Sequence, residues 1–425
     1  QQTKSKSRPG GKRISCASCG LYKFSLSPRI PAHGKGRKRV LAIGEGSGEL
    51  EDRRGKQWQG EVGQFLRKFL DDKFGIDLFE DFRVINACSC RPMENGKNRE
   101  PTDMEINCCR PRVMKEIEEF QPDVIILFGG AAVKSVIGGR WKRNIGGIYK
   151  WRGWTIPDRD LNAWVCPVFH PSFVRRGYSS EKAANEAATI WKQDLERALD
   201  KLEEPFPEFW DERKDVQIIH DEEEAKKVID YINLGTHNLL SFDYEATGLK
   251  PHLPRHEILC MSLCVSPREN YVIPHPDKQN LAPKARRLLA NPYIGKTAHN
   301  IYFEDSWSEV KIGANVRNWE WCSMNAAHVL DNRPGSKSLK FQTYVNFGLC
   351  DYDSHINSYL DTPDQEKKKR GANGFNWIWK FIEDYGWDEL MLYCGLDGNL
   401  GLRLTLLQME QLGYERESIQ DPSPV

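Results

Sequence analysis

Apolar residues are grouped along this chain in short runs and helical stripes that alternate, stop once near the middle, and begin again. Residues 38–46, Lys-Arg-Val-Leu-Ala-Ile-Gly-Glu-Gly, predict a short buried strand that enters a glycine loop. In 61–72 the apolar positions Val62, Phe65, Phe69 and Leu70 predict an amphipathic helix. Phe82–Asn86, Asp123–Phe128 and Val165–Phe169 predict further strands, with a helix ending over Val113–Phe120 and another after Gly129-Gly130. Strands that alternate with helices predict a mostly parallel α/β sheet.

A long helical stretch, Ala183–Leu202, closes the first series and runs into Glu203-Glu204-Pro205-Phe206-Pro207-Glu208. Prolines among charges mark a linker, so the expected divisions are 1–13, a basic tail; 14–202, a first domain; 203–214, the linker; and 215–425, a second domain. Two domains also suit 425 residues, too many for one ordinary core. In the second series Asp221 can cap a helix through Val228 and Ile232, and Asn238–Asp243 predicts a strand. Ile258–Val265 and Asn270–Pro274 predict antiparallel neighbours, with helices from there to the end.

With 39% apolar and 28% charged residues the chain has the balance of a folded soluble protein. The longest clean apolar run, Val124–Phe128, is far short of a membrane span, and nothing resembles a signal peptide, so a cytoplasmic protein is expected. The net charge of +1 conceals an uneven spread, because residues 1–40 carry Lys4, Arg8, Lys12, Arg13, Lys38 and other basic side chains with no acidic one. Such a segment suits a polyanion, although residues 1–13 read equally well as a solvated tail. The run Lys367-Lys368-Lys369-Arg370 reads as a solvated basic loop. Twelve cysteines in a reducing compartment are not expected to form disulfides. Cys260 and Cys264 lie in an apolar strand and read as core thiols, whereas Cys16 and Cys19, two residues apart beside Gly20, can point at one metal or cluster.

The richest chemistry lies in the second half. The strand ending at Asp243 places Asp243 and Glu245 on one face, because strand side chains alternate. Thr247-Gly248-Leu249 follows; far downstream come Asn300, Glu304 and Asp305, and then Tyr393 and Asp397. Phosphodiester hydrolysis needs an activated water and stabilised charge on two oxygens, which two divalent ions ~3.5–4 Å apart supply when hard oxygen ligands hold them. This region resembles the DEDD exonucleases whose third motif carries a tyrosine, as in family A DNA polymerases. Asp-x-Glu-x-Thr-Gly-Leu is matched in full by residues 243–249, and Tyr-x3-Asp by Tyr393 and Asp397. In Asn-x3-Asp the acid is replaced by Glu304, with Asp305 beside it as the alternative, and Cys322 stands where the family tends to carry an aspartate. The resemblance implies a ribonuclease H-like mixed-sheet α/β domain binding two Mg²⁺ or Mn²⁺ ions. It implies Asp243, Glu245, Glu304 and Asp397 as metal ligands, Tyr393 as the group orienting the attacking water, Leu249 as a wedge against the terminal base, and Asn300 as a DNA contact. His220-Asp221-Glu222 copies a polymerase palm signature but sits at a helix start, so it reads as a cap, and no polymerase site is expected in this chain.

The first half carries its own motifs over about residues 14–180. Gly44-Glu45-Gly46-Ser47-Gly48 is followed by Trp58 and Gly60; Asn86 precedes Cys90-Arg91-Pro92; Cys109-Arg110-Pro111, Phe128-Gly129-Gly130 and His170-Pro171-Ser172 complete the order. This resembles the family 4 uracil-DNA glycosylases. The resemblance implies a three-layer α/β domain in which Cys16, Cys19, Cys90 and Cys109 hold a [4Fe–4S] cluster, with Cys88 and Cys108 as spare thiols and zinc as the competing metal. It also implies a base pocket in which Trp58 stacks, Asn86 reads the pyrimidine edge, His170 stabilises the leaving base, and the backbone around Gly44 and Glu45 approaches closely. Ser47, Gln57, Trp58 and Gln59 depart from the family's residues, while Gly60 keeps its glycine.

Together the halves resemble the N-terminal part of certain bacteriophage family A DNA polymerases. That implies DNA, single-stranded or as a primer 3′ end, as partner, a polymerase palm and fingers joined or separate, and the infected bacterial cytoplasm as location. A stand-alone repair protein, or a first domain that binds bases without cutting, is the alternative.

Overall fold

The computed structural model describes residues 15–177, 181–361 and 374–415. The tail 1–13 and the run Lys367–Arg370 lie outside them. The chain divides into two compact units, Gln1–Pro207 with Tyr344–Cys350, and Glu208–Thr343 with Asp351–Val425.

The first unit is built on a sheet of strands β1 (Val40–Gly46), β2 (Phe82–Cys88), β3 (Val124–Phe128), β4 (Ile156–Asp158) and β5 (Ala163–Val168), in the order β2-β1-β3-β5-β4. All pairings are parallel except β4 with β5. Val40, Ala42, Val84, Val124 and Ile126 meet Leu66 and Leu70 of helix Glu61–Phe74 and Trp191 and Leu195 of helix Glu181–Asp200. On the opposite face, helices Asp103–Phe120 and Gly130–Val136 pack against β2 and β1. Covering both faces explains why these strands are apolar without alternation. Helix Asp103–Phe120 begins well before its predicted end segment because Thr102 and Glu105 form a capping box at its start.

The second unit has a six-stranded mixed sheet. Its strands are β6 (Val216–Ile218), β7 (Leu239–Ala246), β8 (Ile258–Ser266), β9 (Glu269–Pro274), β10 (Gly295–Ala298) and β11 (Trp319–Cys322), in the order β11-β10-β7-β8-β9-β6. The predicted antiparallel pair is β8 with β9. The expectation of helices only after Pro274 is corrected, since β10 and β11 extend the sheet in parallel beside β7. These strands are four residues each and polar in part; the fully buried Lys296 in β10 directs its ammonium to the carbonyls of Asn291 and Ile294 instead of to solvent. Asp221 caps helix Glu222–Leu234, accepting the Glu224 N–H at 2.9 Å.

The closing helix, Trp387–Gln411, lies directly on this sheet because Gly395, Gly398 and Gly401 recur on one face. A Cβ on Gly398 would stand 2.3 Å from Ser262 Oγ, and one on Gly395 would stand 2.5 Å from Val216. Closeness of this kind brings Tyr393 and Asp397 down onto β7.

Candidate functional sites

In the second unit β7 carries Asp243 and Glu245, and β8 fixes the strand opposite them, Ser262 Oγ accepting the Asp243 N–H at 3.1 Å. Oxygen atoms of Asp243, Glu245 and Asp397 all lie within 4.8 Å of one another. Glu304, one turn into helix Ile301–Trp307 behind its N-cap Asn300, is buried; its carboxyl hydrogen-bonds Asp243, and its Oε2 has no partner. Asp305, the alternative acid, is instead engaged by the Trp319 indole N–H at 3.0 Å. Tyr393 is buried beside Asp397, and Leu249 is 60% exposed at the edge of the site. Three converging carboxylates, with Glu304 joined to Asp243 and holding an orphaned buried oxygen, fit a divalent-metal centre.

Burial pushes the carboxyls of Asp243, Glu245 and Glu304 well above the ordinary range, and carboxylate neighbours push them further: Asp397 for Asp243, and Asp243 for the other two. Burial, then Asp397 and Glu245, raises the Tyr393 hydroxyl too. Three further residues in this neighbourhood escaped sequence reasoning. Lys340 donates to Asp397, and the Tyr352 hydroxyl donates to the same carboxylate oxygen at 2.5 Å. His299 Nδ1 lies 2.9 Å from Ser323 Oγ, and burial lowers its pKa to about 4. Lys340 and Tyr352 lie far from the acids in sequence and belong to no local motif, so only spatial proximity reveals them.

In the first unit a cavity of about 740 Å³ opens beside the C-terminal ends of β1 and β2, lined by Glu45, Ser47, Trp58, Asn86 and His170 among others. Crevices of open α/β sheets form at this end of the strands. Gly44 pairs with Asn86 across the sheet and lies behind the cavity wall; a Cβ there would stand 2.3 Å from Asn86 Oδ1 and 2.7 Å from the Trp58 ring. Trp58, at φ +58°, is buried, stacked on His170 with ring centroids 5.8 Å apart and set edge-on to Phe128. The strained backbone at Trp58 holds this large ring in the wall of the cavity. His170 Nδ1 accepts the Ser172 N–H at 3.3 Å, which in a neutral ring puts the proton on Nε2. Glu51 accepts the N–H groups of Gln59 and Gly60 at 2.9 and 2.8 Å and so fixes the loop that carries Trp58.

Six thiols gather nearby, from helix Cys16–Cys19, from β2 and the turn after it, and from helix Asp103–Phe120. Four of them receive donors. Cys16 meets the Arg29 guanidinium, Cys19 the Leu21 N–H, Cys90 the Arg29 N–H at 3.2 Å, and Cys109 the Ser89 N–H. Cys88 donates its S–H to Cys109, which lowers the Cys109 thiol to about 6 and raises Cys88. Cys108 faces Cys19, and burial raises its pKa. Donors aimed at sulfur suit cluster ligation by these four thiols, although Cys19 also directs its own S–H to the Cys16 carbonyl at 3.4 Å.

Comparison with known proteins agrees with this division. Residues 31–193 match the family described as the Uracil DNA glycosylase superfamily, and residues 216–409 match the family described as 3′-5′ exonuclease. The type-4 uracil-DNA glycosylase of Thermotoga maritima is 33% identical over 183 residues, covering 43% of this chain and 87% of that protein. The type-4 enzyme of Saccharolobus solfataricus is 31% identical over 161 residues, 37% of this chain and 71% of that protein. Through its first unit, then, the chain belongs to the type-4 uracil-DNA glycosylase family, and its second unit is a 3′-5′ exonuclease domain. A DNA polymerase of Bacillus phage SP01 is 24% identical over 417 residues, spanning 91% of this chain and 41% of that polymerase. Among solved structures, Brucella melitensis NrnC has 15% identity and a TM-score of 0.31, covering 47% of this chain and 83% of its own; the Aedes aegypti Nibbler EXO domain has 14% and 0.34, covering 46% and 89%. Likeness at that level assigns nothing further. Among the described residues no helix is long and apolar enough to cross a membrane.

Proposed function

We propose that this chain is the proofreading and base-surveying region of a phage-type family A DNA polymerase. The observation that carries the nuclease half is the convergence of Asp243, Glu245 and Asp397 within 4.8 Å, with Glu304 against Asp243. Asp243, Glu245 and Asp397 would hold one divalent ion, and Asp243 with Glu304 a second, Mg²⁺ or Mn²⁺ in either place. Such ions supply an activated water and offset charge on the attacked phosphate. Tyr393, one helical turn before Asp397, orients that water, while Leu249 and Asn300 meet the 3′-terminal nucleotide. The test is digestion of labelled single-stranded DNA with Mg²⁺ by the parent and by Asp243→Ala/Glu245→Ala. Undiminished shortening by the double variant would overturn the assignment.

The first unit is read as a pocket for one flipped base. Flipping requires an aromatic face and edge-reading donors. Trp58 supplies the face, Asn86 reads the edge, Gly44 gives both of them room, Glu45 lines the entrance beside His170, and the Nε2 proton of His170 meets charge on the leaving base. Release of uracil from single-stranded DNA without Mg²⁺ tests excision; binding that needs Trp58 without release would make the unit a reader. Cys16, Cys19, Cys90 and Cys109 hold a [4Fe–4S] cluster in this reading, supported by the donors on their sulfurs. Anaerobically purified protein should be brown with about four irons per chain, the complement of one such cluster. One zinc and no iron would replace the cluster with a structural metal.

A further inference from the structure

Lys340 belongs to none of the motifs, yet it reaches the centre of the second unit. It lies at the start of helix Leu339–Phe347 with its side chain only 10% exposed, and its ammonium donates to Asp397 Oδ1 and to the Tyr352 hydroxyl, the latter at 2.7 Å. The same ammonium lies 4.2 Å from the centroid of the Tyr352 ring and 4.5 Å from that of Tyr393. Tyr352 in turn donates to Asp397 Oδ1, so two donors converge on one oxygen of the carboxylate that meets Asp243 and Glu245.

A buried ammonium is costly without an anion, and a buried carboxylate is costly without a cation. Here one ammonium meets Asp397, whose oxygens lie close to those of Asp243 and Glu245. The aromatic faces of Tyr352 and Tyr393 hold the ammonium where it is and leave it little room to withdraw. Resting on the exonuclease reading, we propose that Lys340 is the built-in counter-cation of the metal site. It holds Asp397 toward Asp243 and Glu245 before metal arrives, and its charge opposes the incoming ion. Lys340 is therefore a positioning residue that sets metal affinity.

This has a consequence that a plain structural strut would not share. Without the ammonium the carboxylates repel one another more and attract divalent ions more strongly. Mn²⁺ binding to the full chain without DNA, read by titration calorimetry, should tighten about tenfold in Lys340→Met, the effect of roughly one partly screened charge. Lys340→Gln, which keeps a donor but not the charge, should tighten it likewise, and Tyr352→Phe, which keeps the charge, should not. In EDTA both lysine variants should melt below the parent, and saturating Mn²⁺ should abolish that difference. Unchanged or weaker Mn²⁺ binding in both lysine variants would overturn the proposal, as would failure of both to fold in saturating Mn²⁺. Digestion of single-stranded DNA by the parent is measured alongside. If lysine controls Mn²⁺ affinity but no DNA is cut, the nuclease reading fails alone; if DNA is cut and Mn²⁺ affinity ignores Lys340, the counter-cation fails alone.

Discussion

The two sites of this chain solve opposite problems. The pocket of the first unit combines stacked rings and glycine-thinned backbone with amide and carboxylate edges, and two of its parts are held in place, His170 against Ser172 and the Trp58 loop on Glu51. The acidic site of the second unit gathers acids whose carboxyls burial pushes up, and among the described residues Lys340 is the one cation paired with Asp397 there. A pocket of the first kind is ready before its ligand comes. A site of the second kind is at rest only when its cations are present, so its state depends on metal and on protons.

The sharpest way to break the contrast is to empty the acidic site. Asp243→Ala with Glu245→Ala should lower exonuclease rate at least about 10³-fold, since several kcal/mol of charge stabilisation go with the ions. Base release or base binding by the first unit, assayed in EDTA, should be untouched. The converse experiment is Cys16→Ser or Cys90→Ser, which should bleach the protein and lower the melting of the first unit by several degrees, because the proposed cluster would tie the N-terminal loop to the segment after β2 and to helix Asp103–Phe120. Metal-dependent digestion should survive, and its loss would show that the sites are not independent.

Gly398→Ala tests how the acidic site is assembled. The new methyl would meet Ser262 Oγ at 2.3 Å and force the closing helix off β8, at a cost of about 1–3 kcal/mol. Exonuclease rate should fall with stability; an unchanged rate would mean that Asp397 does not depend on that contact. Trp58→Ala should weaken single-stranded DNA binding by roughly 1–3 kcal/mol, the worth of one base–aromatic stack, with no effect on digestion. Wild-type binding by this variant would remove Trp58 from base recognition.

The smallest effect is on pH. Because the folded carboxyls of Asp243, Glu245 and Glu304 lie above their unfolded values, the metal-free native state binds more protons than the unfolded one, and its stability falls as pH rises through that window. Metal binding must displace those protons. The rise in melting temperature caused by Mn²⁺ should therefore be larger near about pH 8 than near about pH 5.5. A shift independent of pH would contradict the burial of these acids.

Much of this was legible from the sequence for identifiable reasons. Buried parallel strands announce themselves as apolar runs, and β1, β2, β3 and β5 fall close to where those runs lie. Asp243 and Glu245 share a strand, and Tyr393 and Asp397 a helical turn, so local periodicity already sets each pair on one face. The strands β10 and β11 were not legible. Four residues with a lysine or glutamate among them carry no period, and Lys296 is tolerated inside only because nearby carbonyls accept its protons.

Near neighbours along the chain thus carried the two-domain division, most of the strands and helices, the acidic motifs and the paired thiols of Cys16 and Cys19. Folding in three dimensions settled which distant groups share a space. It set Glu304 rather than Asp305 against Asp243, aimed backbone donors at Cys90 and Cys109, and brought Lys340 and Tyr352 onto Asp397. The reason is physical. Side-chain direction along one element follows from its repeat, but the meeting of two elements depends on how closely their backbones can approach. Here that approach is set by glycines against a sheet, and their effect appears only once the helix and the sheet are together.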